Sequence, residues 1–240
     1  MFRYVAALLA GLRTSAKSVT DVLQQMKTIE SVCDDGDGLK WFNLLYLQVT
    51  QAVAAQISSG GITDAAWLAE LDVQFARLYF GALQASLAEQ PVPGCWEVLW
   101  EQRNRTAIAR IQFALAGINA HINHDLPQAI VTTCEVTVTE PEHGGTHYND
   151  YTSLNATLDG LIESAKQTLH VRLLGDALPL ISHLDETIAA WSVSAARETA
   201  WRNAELLWHL RDLPDLSSTF MESLDGLTAL AGQALLVPVP

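Results

Sequence analysis

Gly117-Ile118-Asn119-Ala120-His121-Ile122-Asn123-His124-Asp125-Leu126-Pro127 sets two histidines, two asparagines and an aspartate at the end of a run that is otherwise apolar from about Thr106. A helix turns roughly 100° per residue, so His121, His124 and Asp125 at i, i+3 and i+4 share a face. Ile111, Leu115, Ile118 and Ile122 form the apolar stripe. Asp125 falls beside that stripe, His121 at its edge and His124 further round. Gln112, Asn119 and Asn123 lie to the other side, while Phe113, Ala116 and Ala120 keep the remaining surface apolar or small. A helix apolar on nearly every side is a buried one. Polar groups taken into such a place cost a few kcal/mol each unless they bond one another, so this stretch predicts a buried network and marks a site.

Outward from that helix, three-four periodicity recurs. Val22, Leu23, Met26 and Ile29 predict a helix with Thr20 as N-cap. Asp34-Asp35-Gly36-Asp37-Gly38 breaks it; the segment lacks the alternating ligands and closing Glu of a calcium loop, so Asp37 is expected to cap the next helix, to about Ser58. Thr63 is expected to cap a helix over Asp64–Glu89, and Pro91–Gly94 stops it before a short helix over Cys95–Gln102. Pro127 predicts a bend at Asp125–Leu126 with Asp125 as N-cap. Val136–Thr139 alternates like a strand, but one isolated strand cannot make a sheet. After the loop Glu140–Thr146, a helix from His147 to about Leu173 carries Asp150, Leu154, Leu158 and Leu161 on one stripe. Pro179 ends the next connection, and a helix over about Ser182–Arg211 carries Trp191, Arg197, Trp201 and Trp208. Leu213-Pro214-Asp215 opens a last helix that Val237–Pro240 terminates. The fold class read from this is all-α, a single domain of about seven or eight helices over 1–240 around the buried Thr106–His124 helix, with no repeat, linker or low-complexity tract.

Composition bounds the function. Hydrophobic residues make up 49% and charged residues 17% of 240, which describes a compact domain with a sizeable core. A formal charge of −13 disfavours nucleic acid and anionic membranes, which reward Lys and Arg. Cys33, Cys95 and Cys134 are odd in number and without metal-type spacing, as expected of reduced thiols in a cytoplasmic protein. Met1–Leu12 resembles a signal peptide but lacks a convincing cleavage site, and a docked N-terminal helix or arm over residues 1–14 is expected. No later stretch reaches the ~18 continuous apolar residues of a membrane span.

Gly117–Pro127, together with Asp37-Gly38-Leu39 to Tyr46, Phe75-Ala76 to Tyr79-Phe80, Asp150-Tyr151 to Asn155, and Arg197 to Trp201, resembles the bacterial domain-of-unknown-function family numbered 5995. The likeness runs from the first helix to about Trp208. It implies an all-helical soluble domain and carries no established activity.

The chemistry is therefore read from residue types. His121, His124, Asp125, His147 and Asp150 would make a ligand set for zinc or another divalent metal. The His121-xxx-Asp125 spacing before Pro127 resembles that of zinc-dependent phospholipase C enzymes, also all-helical. Their further histidines and acids have no counterpart here, and His-Glu-x-x-His is absent. Without metal, a carboxylate orienting a buried histidine suits acid–base work near neutral pH. No Gly-x-Ser-x-Gly, phosphate loop or paired Cys–His points to a covalent hydrolase or a nucleotide cofactor. The leading expectation is an enzyme acting on an apolar small molecule with one polar end, such as a lipid or secondary metabolite. His121 is its acid–base group, Asp125 the orienter and Asp150 a second carboxylate. Asn119, His124, His147, Tyr151, Arg197 and Trp201 are the expected ligand-binding residues, and His143 and His209 are surface histidines. Two rivals stand beside it: a metal-dependent hydrolase, and a non-catalytic helical module that binds a ligand or protein and uses the cluster as a staple. An open apolar cavity at His121 favours the enzyme, and a sealed network favours the module.

Overall fold

In a computed structural model, the protein is described over residues 4–172 and 192–238. The expectations at Leu173, Pro179, Ser182 and Trp191 lie outside the described residues. The helices are α1 (Val5–Gly11), α2 (Val19–Val32), α3 (Gly38–Ser58), α4 (Ala65–Leu87), α5 (Gly94–Gln102), α6 (Arg110–Ala120), a π-helical turn (His121–Asp125), α7 (Leu126–Thr137), α8 (Thr146–Ser153), α9 (Asn155–Thr168), α10 (Val193–Leu210) and α11 (Pro214–Leu235). The fold is all-α. Among the described residues the sole β feature is an isolated antiparallel bridge between Ala109 and Arg172. Val136 and Thr137 finish α7, and Val138 takes the left-handed conformation (φ 56°) that caps it, so the strand-like alternation is the end of a helix.

Every residue of α6 from Ile111 to Ala120 is buried. The α6–π–α7 rod is packed by α3, α4, α5, α10 and α11. Two glycines set the closest approach. A Cβ on Gly117 would lie 2.3–2.4 Å from ring atoms of Phe42, and one on Gly38 would lie 2.4 Å from the Phe113 ring. Any side chain at either place would push α3 away from α6.

Local chemistry fixes the helix starts. Ser18, not Thr20, caps α2 by accepting from Asp21 N. Asp37 caps α3 as expected by accepting from Leu39 N, and it is simultaneously the buried partner of Arg103 and the acceptor of the Tyr4 hydroxyl. That contact, with buried Leu8 and Leu12, docks the N-terminal helix. Asp64, not Thr63, caps α4 through Trp67 N. α6 begins at Arg110 instead of Thr106, because the amides of Arg110 and Ile111 bond the carbonyls of Val171 and Leu169 beyond α9. Gln112 Oε1 accepts from Ala109 N at the same end. The helix expected over His147–Leu173 is two helices meeting at Leu154. Thr152 and Ser153 turn their hydroxyls back onto the carbonyls of Tyr148 and Asp150, competing with the backbone ladder there.

Two helix starts are also capped from far away. Asp150 accepts from the amides of Thr63 and Asp64 (2.9 and 2.7 Å) at the head of α4. Asp225 of α11 accepts from Gly94 N and Cys95 N (2.8 and 2.9 Å) at the head of α5, whose own N-cap residue, Pro93, makes no side-chain cap bond.

Candidate active site

At Asp125 and Leu126 the backbone stays helical. It widens into the π-turn, in which Leu126 N–H donates to His121 O, an i→i+5 bond. Asp125 forms no side-chain cap on α7, because its carboxylate is engaged elsewhere. Oδ2 accepts from His121 Nδ1 at 2.9 Å and from Trp96 Nε1 at 3.0 Å, and Oδ1 accepts from His124 Nδ1 at 2.8 Å. The widened turn lets one carboxylate reach an imidazole at i−4 and another at i−1.

Burial pushes the Asp125 carboxyl up, but the hydrogen bonds from His121 and then His124 outweigh it and hold the group below its ordinary range. Asp125 is therefore an anion and an acceptor only. It fixes the protonated nitrogen of both imidazoles at Nδ1 and leaves Nε2 with its lone pair. For His121, burial lowers the pKa more than the Asp125 hydrogen bond raises it, so the ring is neutral near pH 7.

His121 is 1% exposed and lies in an aromatic cage. Phe75 stacks on it face to face at 3.5 Å, and the edge of Tyr46 meets it at 4.5 Å. Phe42 and Trp96 stand 5.9 Å away. Its Nε2 has no hydrogen-bond partner among the described residues. Nor has Asp72 Oδ2 on α4, and Tyr46 Oη makes no bond of good geometry although Thr50 lies one turn along.

These atoms gather around two neighbouring small cavities. One, of about 30 Å³, is lined by His121, Tyr46, Phe75, Ile122, Val193 and Arg197. The other, of about 40 Å³, is lined by Asp72, Tyr46, Phe75, Leu126, Tyr151 and Arg197. Val49 and Leu158 wall both. Burial alone raises the Asp72 pKa from 3.8 to about 7, so this carboxyl holds its proton well above the ordinary carboxylate range. Tyr46 is pushed upward by burial, then by the charges of Asp72 and Asp125. Arg197, also buried, donates to neutral acceptors: Nε to Asn155 Oδ1 at 2.8 Å and Nη2 to Tyr151 O at 2.7 Å, with its guanidinium 3.8 Å over the Tyr151 ring.

A family model described as a family of unknown function (DUF5995) matches residues 19–238. The chain belongs to the DUF5995 family. No curated protein and no solved structure matches it, so the chemistry of this DUF5995 protein rests on its geometry.

The structure brings His121, His124 and Asp125 together, with Arg197 and Tyr151 on the cavity walls. It does not bring Asp150 or His147 to them. Asp150 is engaged by the amides of Thr63 and Asp64, and His147 Nε2 bonds Asp64 Oδ2 at 3.2 Å while its ring stacks on Trp67. Trp201 is core, against Trp67, Tyr148 and Tyr151, and lines neither cavity. Asn119 faces the other way, donating to Thr228 O at 2.9 Å beside a separate groove of about 370 Å³ lined with Asn123, Asn203, Phe220 and Leu227. The residue that sequence reading missed is Asp72. Its signal was there: it occupies a core position one turn before Phe75 and Ala76 and two before Tyr79.

Proposed function

We propose that this protein is a proton-transfer enzyme for an apolar small molecule with one polar, anionic end. The observation that supports it is the placement of three residues with buried polar atoms lacking good partners on two neighbouring apolar-walled cavities: His121 (Nε2) on one, Asp72 (Oδ2) on the other, and Tyr46 (Oη) on both. Leaving such atoms unbonded costs on the order of 1–3 kcal/mol each, a cost that a bound polar group would recover. In this reading His121 Nε2 removes a proton from the substrate, and Asp125 stabilises the imidazolium that results. Asp72, which keeps its proton to a higher pH than an ordinary carboxylate, returns a proton to the oxygen on which negative charge develops, with Tyr46 beside it. Two groups whose surroundings push their pKa values in opposite directions make such a base and acid. Arg197 holds the anionic end. Asp72 thus takes the role of second carboxylate expected of Asp150.

The cavities each hold about one water, whose share of liquid volume is ~30 Å³. A substrate larger than a water requires the apolar wall to open on binding. The same smallness, with Asp125 fully bonded, favours the second reading, a non-catalytic module whose buried atoms are bridged by water.

Deuterium exchange separates the two. Apolar carbonyl acids of graded chain length are incubated with the protein in D2O, and incorporation next to the carbonyl is followed by mass spectrometry. The enzyme reading expects incorporation that His121→Gln abolishes. No incorporation across the series, with no ligand-dependent rise in melting temperature, sinks it.

A further inference from the structure

The Asp125 carboxylate holds a second imidazole that the proton-transfer reading leaves unused. His124 lies beside Cys95 in the first turn of α5 and Asp225 on α11. One coordinating atom from each residue lies within 4.8 Å of the other two. Cys95 and His124 are buried and Asp225 half-buried. We propose that Cys95, His124 and Asp225 form a binding site for a single zinc-class cation.

The donor set selects the metal. A thiolate, an imidazole and a carboxylate suit zinc, whereas calcium and magnesium require oxygen ligands throughout. Bonds of about 2.0–2.3 Å in a tetrahedron place ligand atoms roughly 3.3–3.7 Å apart, so a site whose atoms lie within 4.8 Å of one another contracts by at most about 1.5 Å on binding. Asp225 supplies that movement from its half-exposed position. Its oxygens accept the backbone amides of Gly94 and Cys95 and also a hydrogen bond from the Cys95 thiol, and the lone pair that takes that last bond is released to the cation when the thiol gives up its proton.

His124 is already oriented. Its Nδ1 donates to Asp125 Oδ1, which leaves Nε2 for the metal in the carboxylate–histidine–metal arrangement common to zinc sites. Cys95 enters as thiolate, its proton leaving to solvent as the sulfur–metal bond forms. Three protein donors leave the fourth position to water. The site joins α5, the π-turn and α11, and it stands apart from the proton-transfer reading, sharing with it one carboxylate that serves His124 through Oδ1 and His121 through Oδ2.

The test uses the full untagged chain, freed of metal by chelation. Zn2+ is titrated calorimetrically, and Co2+ serves as its spectroscopic stand-in. One equivalent should bind with a near-ultraviolet sulfur-to-cobalt charge-transfer band, and Zn2+ should raise the melting temperature. Cys95→Ser retains the shape of the residue and should lose the band. Asp125→Asn should weaken binding about 10–100-fold through loss of its support to His124. Cys134→Ala should change neither, and Cys95→Ser should lose the band while leaving any deuterium exchange in place, so failure here is distinguishable from failure of the proton-transfer reading. Absence of stoichiometric binding, or a band that persists in Cys95→Ser, overturns the site. Circular dichroism identifies any variant that has not folded. For such a variant, Asp225→Asn at the half-exposed ligand is the replacement, with at least a tenfold weaker affinity expected and an unchanged affinity counting against the proposal.

Discussion

Replacing Asp72 by Asn asks whether the buried carboxyl is held as the neutral acid. Asp72 is 7% exposed, and burial alone carries its pKa from 3.8 to about 7. The unfolded chain releases this proton near pH 3.8, while the folded chain keeps it to about pH 7. Across that window the native state binds more protons, so stability falls as pH rises. About three pH units at ~1.36 kcal/mol each give a loss on the order of 4 kcal/mol, an upper figure because water in the cavity relieves part of it. Asn has the shape of the neutral acid and cannot ionise. The variant should therefore lie within about 1 kcal/mol of the parent at pH 4 and exceed it by up to about 4 kcal/mol at pH 8. The other ionisable groups on the shared cavity, Tyr46, Tyr151 and Arg197, do not change charge between these limits. His121, on the adjoining cavity, titrates in both proteins alike. Urea unfolding followed by circular dichroism at each pH unit from 4 to 8 gives the comparison. Parallel stability curves, or a variant less stable than the parent at pH 8, would refute the neutral-acid assignment.

Four further outcomes are expected. Gly117→Ala drives a methyl to 2.3–2.4 Å from Phe42 and should cost about 1–3 kcal/mol in denaturant unfolding; an unchanged midpoint would mean α3 and α6 are not in such contact. Asp37→Ala leaves Arg103 buried without its carboxylate and should cost about 3–5 kcal/mol, whereas a loss under about 1 kcal/mol would deny the pair its role. His121 has its pKa lowered from 6.5 first by burial, so the unfolded chain takes up that proton before the folded one and stability drops as pH falls below about 6.5. His121→Gln should flatten that acid-side decline, and an identical decline would place the titration elsewhere. Asp125→Asn should lower stability by about 1–3 kcal/mol and proton-transfer activity by about 10²–10⁴-fold, with little further loss in the double variant with His121→Gln. A stability loss without an activity loss would favour the module.

Much of the fold was legible because apolar spacing in a helical protein is a local record of burial. Asp37 capped its helix as read, and Gln112 and Asn119 turned to the side away from the histidines, where Gln112 donates to the carbonyls of Leu235 and Val237 and Asn119 to that of Thr228. The π-turn left no such record. Nothing in His121–Asp125 distinguishes i→i+4 from i→i+5 bonding until Trp96, 29 residues upstream, donates to the same carboxylate. Asp150 misled for a related reason. Its stripe with Leu154 and Leu158 correctly turned it inward, but the amides it meets come from the head of α4 and cannot be inferred from its own helix. Asp72 was legible from its core position on α4 and was passed over as an exception among apolar residues, whereas Asp225 was hidden by a helix whose other residues are largely exposed.

The distant caps on α4 and α5 have a bearing on how the chain is made. A ribosome delivers residues 63 and 64 long before Asp150, 86 positions later, and delivers Gly94 131 positions before Asp225. At ~5–20 residues per second, the heads of both helices wait several seconds for the carboxylates that close them. Until then the amides of Thr63, Asp64, Gly94 and Cys95 lack the carboxylates that accept from them in the folded protein. Those heads become secure in the order α4 then α5, as the downstream segments arrive. The last helix thus closes a structure that began to form near the other end of the chain.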